Sequence, residues 1–150
     1  MVCMGNLCRS PMAASCATEL AREMNLSKAL QFESAGVSGG HAGARMDPRA
    51  QAALIRRGRR PTTTRSRQID PRDFARFDLI LAMDSRNLAD LQRSCPPEHR
   101  HKLGLFLDFA ETVEESDIPD PYYGSLAGFE RVLDLCEAGA RGLIQTLARM

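Results

Sequence analysis

Apolar positions along the chain follow two periodicities, one of helices and one of strands. Over residues 12–24 they recur as Met12, Ala13, Cys16, Ala17, Leu20 and Met24 within a run rich in Ala, Leu, Met and Glu, the spacing of one helix face. Ser10 suits an N-cap and Pro11 a first helical position, so a helix is predicted to begin directly after Ser10. Asp47-Pro48 opens a second helix, through about Arg57, and residues 85–93 read as a third. Residues 126–150 read as a long final helix weakened by Gly139 and Gly142. Short apolar runs between these suit strands: residues 31–34, entering a Gly-rich loop through Gly43; residues 77–83, suited to burial on both faces; and residues 102–109. Strands alternating with helices imply a parallel sheet with helices on both sides. No repeat or compositional break divides the chain, so residues 1–150 are expected to form one domain.

Composition narrows the classes of function. Apolar residues make up 43% and charged residues 26%, and 20 basic against 19 acidic side chains leave a net charge of +1. Bulk charge therefore gives no case for a nucleic-acid partner or an anionic membrane surface. No run approaches the ~20 apolar residues of a membrane span, and no apolar leader opens the chain, so membrane insertion is not expected. The expected location is cytoplasmic, with secretion lacking a signal peptide left open. Five cysteines, an odd number without secretory spacing, point to reduced thiols. Cys16, Cys95 and Cys136 read as structural, and the run Arg56-Arg57-Gly58-Arg59-Arg60 as a solvated helix end.

The chemistry concentrates in Cys3-Met4-Gly5-Asn6-Leu7-Cys8-Arg9-Ser10-Pro11. Five residues between Cys3 and Arg9 can curl around one tetrahedral anion. Gly5 and Asn6 are the residue types that most readily take positive φ, which lets successive backbone N–H groups point into a common cup. Such a cup at a helix start binds anions, and Arg9 adds a planar fork matched to phosphate oxygens. A Cys3 thiolate at its base would be stabilised by the amides, the helix end and the Ser10 hydroxyl, leaving it poised to attack a bound phosphate without a metal. The leaving group then needs a proton. Asp120, held between Pro119 and Pro121 in Ile118-Pro119-Asp120-Pro121-Tyr122-Tyr123-Gly124, is the candidate acid, and Tyr122 and Tyr123 can line the mouth against an aromatic substrate.

Taken together, VCMGNLCRSP, SAG at Ser34 to Gly36, DPRA at Asp47 to Ala50, RQI at Arg67 to Ile69, FDLILAMD at Phe77 to Asp84 and PDPYYG at Pro119 to Gly124 closely resemble the low-molecular-weight protein tyrosine phosphatase family. The resemblance implies a flavodoxin-like, doubly wound α/β fold with a four-stranded parallel sheet. It also implies hydrolysis of phosphotyrosine through a phosphocysteine, with no cofactor and no metal. Carried over by position, Cys3 is the nucleophile, Arg9 the phosphate clamp and Asp120 the general acid. Met4, Gly5, Asn6, Leu7, Cys8 and Ser10 form the substrate-binding loop, Tyr122 and Tyr123 its aromatic wall, and Ser34 and Asp84 support it, Asp84 first as a helix cap. Cys8 matches a loop cysteine that in the family can form a disulfide with the nucleophile. The implied partner is a phosphotyrosine protein, with a bacterial tyrosine kinase or a polysaccharide-export component as one class.

Three departures from the family pattern carry expectations of their own. Only Met1 and Val2 precede Cys3, so the first strand is expected to be truncated, leaving its neighbours unpaired and pointing to an upstream segment. Gly40 stands near where bacterial relatives carry an aromatic, so one cleft wall is expected to be open. Thr64 replaces a supporting histidine, so the loop is expected to be less rigid. An arsenate reductase of the same fold would need a closely spaced downstream cysteine pair, which Cys95 lacks. A phosphoarginine phosphatase would carry threonine at the position of Leu7, and a non-catalytic phosphate-binding remnant is the third alternative.

Overall fold

The computed structural model describes residues 1–150. Strands β1 (Val2–Cys3), β2 (Ala35–Gly36), β3 (Ile80–Ala82) and β4 (Leu103–Leu105) form one parallel sheet in the order β2-β1-β3-β4. Around it lie α1 (Arg9–Glu23), α2 (Pro48–Arg56), α3 (Asp73–Arg76), α4 (Ser85–Ser94) and α5 (Leu126–Ala148). This is the expected α/β architecture.

Successive strand residues point to opposite faces of a sheet, and here that alternation sorts the interior into two clusters. Cys3, Leu81 and Met83 join the larger one, with Met12, Cys16, Leu20, Leu54, Phe129, Leu133 and Ile144 from α1, α2 and α5. Val2, Ile80 and Ala82 face the other way, onto Phe74, Leu91 and Cys95 from α3 and the α4 region. Cys16, Cys95 and Cys136 are all buried free thiols, in keeping with a structural role.

The strands are shorter than the apolar runs suggest. The strand expected over residues 31–34 forms instead at Ala35–Gly36, that over residues 77–83 narrows to Ile80–Ala82, and that over residues 102–109 ends at Leu105 before a 3-10 turn over Phe106–Phe109. A run becomes strand only where a neighbour pairs with it, and the central strand offers two residues. Those two pair on both sides: Val2 lies opposite Ala35 and Ala82, Val37 donates to the Cys3 carbonyl at 2.9 Å, and Met83 to that of Val2 at 2.9 Å. The first strand is thus short, but its neighbours are bonded where it runs. At its start a cavity of about 360 Å³ opens, with Met1, Leu30, Phe32, Phe77, Leu79 and Leu143 among its lining. The Met1 ammonium donates to the Glu33 carbonyl there at 2.9 Å, and burial lowers its pKa to about 6.

Two further readings change. The basic run after α2 is not a solvated end: Arg57 contacts Glu130, Asp134 and Glu137, and Arg59 contacts Glu137. These acids lie on one face of α5, so the run ties α2 to it. Nor are Gly139 and Gly142 simply weak points. A Cβ on Gly139 would overlap the Phe106 ring and one on Gly142 the Phe109 carbonyl, so the glycines let α5 lie directly on the turn after β4. Gly142→Ala is therefore expected to lower the thermal midpoint by overpacking, at a cost of about 1–3 kcal/mol, although alanine favours helix by about 1 kcal/mol. Thermal unfolding of the variant checks this, and an unchanged or raised midpoint would refute the close approach.

Candidate active site

The strands of a parallel sheet deliver their loops to one end, and ligands in such folds bind beyond the strand C-termini. Here the chain leaves β1 at Cys3, curls through residues 4–8 and enters α1 at Arg9. Asn6 makes the curl possible with φ 57°; Gly5 is not in that region, so the expected pair of positive φ angles reduces to one. The helix also starts two residues earlier than expected, and Ser10 lies inside its first turn rather than capping it. Its hydroxyl is engaged elsewhere.

Asn6, 3% exposed, organises the loop. Its side-chain amide donates to Ser10 Oγ at 2.8 Å and Ser34 Oγ at 2.9 Å, while its Oδ1 accepts from the Arg67 N–H at 3.0 Å. Its backbone N–H donates to Cys3 Sγ at 3.3 Å, and its carbonyl accepts from Ser66 Oγ at 2.5 Å. Ser66 and Arg67 were not anticipated as loop supports. Thr64, expected in that position, is exposed and the loop is held without it. Ser10 Oγ lies 3.0 Å from Cys3 Sγ and 3.3 Å from the Ala35 carbonyl. Asn6 donates to that oxygen, so the one hydroxyl proton of Ser10 has two acceptors within reach, Cys3 Sγ and the Ala35 carbonyl.

The two loop cysteines differ. Cys8 is buried, and desolvation, followed by the nearby Asp47 carboxylate, pushes its pKa up to about 12, so it stays a neutral thiol. Cys3 receives an N–H and faces a hydroxyl. Arg9 is 3% exposed, and its Nη1 donates to Asp84 Oδ2 at 2.5 Å and to the Ile118 carbonyl at 3.0 Å. Asp84 also caps α4, its Oδ1 accepting from Asn87 N–H at 2.7 Å, so one carboxylate joins the start of α4 to Arg9. From the far loop, Asp120 Oδ2 comes within 3.6 Å of Arg9 Nη2.

These groups line one pocket of about 250 Å³ with Cys3, Met4, Gly5, Leu7, Cys8, Arg9, Asp120, Tyr122 and Tyr123 in its wall. Asn6, Ser10 and Ser34 stand behind the loop, and Asp84 behind Arg9. Tyr122 and Tyr123 meet edge to face at 4.9 Å, and Tyr123 is 94% exposed. Arg49, paired with Asp47, lies over the Tyr122 ring at 5.5 Å. The wall beside Gly40 is not left open. His41, to which no role was given from sequence, lies so close to Gly5 that a Cβ there would approach its ring to 3.0 Å, and its ring centre is 6.3 Å from that of Tyr122. No group of three or more His, Cys, Asp or Glu side chains is arranged to hold a metal ion, and no helix is long and apolar enough to cross a membrane.

Known proteins resemble this chain over nearly its whole length. The sequence model described as "Low molecular weight phosphotyrosine protein phosphatase" matches residues 1–150. The low molecular weight protein-tyrosine-phosphatase of Streptomyces coelicolor is 37% identical over 146 residues, covering 95% of this chain and 88% of the relative. The human low molecular weight phosphotyrosine protein phosphatase is 37% identical over 145 residues, covering 96% and 91%. The crystal structure of a protein tyrosine phosphatase from Entamoeba histolytica superposes with a TM-score of 0.96 at 35% identity, covering 99% of this chain and 94% of that one. With the loop between β1 and α1, the parallel sheet beneath it and these matches all in agreement, the chain belongs to the low molecular weight phosphotyrosine protein phosphatase family and is a protein-tyrosine phosphatase.

Proposed function

We propose that this protein, acting as a single domain, hydrolyses phosphotyrosine and small aryl phosphates through a phosphocysteine on Cys3, without a metal. The observation that carries this reading is the meeting of Cys3, Arg9 and Asp120 in one pocket, 117 residues apart in the chain at the extremes, with Cys3 facing Asn6 N–H and Ser10 Oγ. Phosphoryl transfer needs positioning and charge stabilisation above all. Arg9 Nη2, on the fork left over from Asp84 and Ile118, takes the phosphate oxygens together with the loop amides.

In the first step the Cys3 thiolate attacks phosphorus in line, the S–P bond forms as the P–O bond to the aryl group breaks, and the Asp120 carboxylic acid gives its proton to the departing oxygen. In the second step Asp120, now a carboxylate, takes a proton from water as that water attacks phosphorus. The S–P bond breaks, the thiolate is restored and inorganic phosphate leaves. The tyrosyl ring packs against the wall formed by His41 and Tyr122, whose ring centres are 6.3 Å apart. Cys95 lies in the other core cluster, away from the loop, so it offers Cys3 no downstream partner for a relay of the arsenate-reducing kind. The substrate is a phosphotyrosine protein; a bacterial tyrosine kinase or polysaccharide-export component fits this chemistry.

Cys3→Ser is expected to abolish turnover of p-nitrophenyl phosphate and a phosphotyrosine peptide, whereas a chelator leaves the wild type unaffected; an active serine variant would rule out the covalent route. Asp120→Ala should lower kcat/KM for phosphotyrosine by roughly 100-fold or more, and by far less for p-nitrophenyl phosphate, whose leaving group departs as an anion. Equal losses on both would remove Asp120 from the acid role. His41→Ala should raise KM for phosphotyrosine about two- to tenfold, the worth of one aromatic pair at about 0.5–1.5 kcal/mol, with kcat little changed. An unchanged KM would take His41 out of the wall.

A further inference from the structure

Asp120 is held only loosely by its own contacts. Its side chain is 52% exposed, Oδ1 accepts from the Tyr122 N–H of its own turn at 3.1 Å, and Oδ2 stands 3.6 Å from Arg9. Its position therefore depends on how the preceding segment is anchored. Residues 111–117 lie at the surface, all exposed but Val113. The first firm point is Ile118, with no exposed surface, whose N–H donates to the Met83 carbonyl at 2.8 Å and whose own carbonyl accepts from Arg9.

A second anchor sits one residue earlier. Asp117 Oδ1 accepts from both the N–H of Ser85, at 2.9 Å, and its hydroxyl, at 2.7 Å. Ser85 is the first residue of α4, so this carboxylate rests on a free amide at the positive end of the helix. The neighbouring Asp84 is the residue that grips Arg9. Only Ile118 and Pro119 separate Asp117 from Asp120, and the proline ring fixes its own φ. One anchored residue leaves a chain free to swing about it, whereas two in succession, on the end of β3 and the start of α4, also fix its direction.

We propose that Asp117 is a positioning residue for Asp120: clasping Ser85, it aims the acid-bearing segment from the same helix start that holds Arg9. This rests on the general-acid reading of Asp120. The clasp acts on placement and not on binding, so its loss shows in the proton-dependent step alone, since small misplacements are costly there.

The test compares kcat/KM for phosphotyrosine, whose leaving group needs a proton, with that for p-nitrophenyl phosphate, in folded variants matched by circular dichroism. Asp117→Ala is expected to lower the first about 3–10-fold and the second less than about twofold. Asp117→Asn keeps an acceptor without the charge and should recover part of the loss. Ser85→Pro removes both donors at a helix position that tolerates proline, and should reproduce Asp117→Ala. In an Asp120→Ala background, Asp117→Ala should have no further effect. Equal losses on both substrates, or a loss that persists without Asp120, would overturn the proposal. Should Asp120→Ala itself show no leaving-group dependence, the general-acid reading fails and the clasp falls with it; a dependence present for Asp120→Ala but absent for Asp117→Ala and Ser85→Pro would reject the clasp alone.

Discussion

The arrangement at the strand ends depends on burying one guanidinium. A charge removed from water is tolerated only when it is paired and its remaining donors are used, and breaking such a pair is far more damaging than never having made it. Arg9 is paired with Asp84 and spends its other Nη1 donor on the Ile118 carbonyl, partners from two segments that follow β3 and β4. The first loop, the start of α4 and the segment carrying Asp120 are thereby brought to a common point. Only the edge of the fork facing the pocket is left for a ligand, so the ion pair sets the direction of the clamp as well as its charge.

Asn6 plays the corresponding part for the loop. Its αL backbone is a conformation that few non-glycine residues hold, and five hydrogen bonds of its backbone and side chain keep it there. Both donors of its amide and its Oδ1 are used, so an exchange of amide for another side chain would leave buried partners unsatisfied. The curl is held by partners drawn from β2's approach and from residues 66–67, not by its own sequence alone.

Most of the fold was legible because its signals are local. Helical spacing, the Asp47-Pro48 and Asp84 caps, and the apolar run before Asp84 each lie within a few residues, and α2 and α4 begin where those caps place them. The loop from Cys3 to Arg9 and the distant Asp120 were readable because each is a compact motif. Strand lengths were not, since they are decided by a partner far along the chain. Ser66, His41 and Asp117 escaped notice for the same reason: a serine, a histidine and an aspartate without a local pattern acquire a role only from what the fold sets beside them. Ser10 went the other way, its capping propensity overridden by contacts with Cys3 and Asn6.

The unequal division of the interior bears on how this protein breathes. Twenty-six buried residues hold α1, α2 and α5 to one face of the sheet, whereas six hold α3 and α4 to the other. Partial opening is cheapest where least apolar surface must be exposed, so the α3 and α4 side forms the weaker cooperative unit. Asp84 belongs to that unit while Arg9 belongs to the stronger one. The clamp therefore spans a seam between two levels of stability, and its lifetime in the closed form is governed by the smaller cluster, on the side of the sheet remote from Cys3.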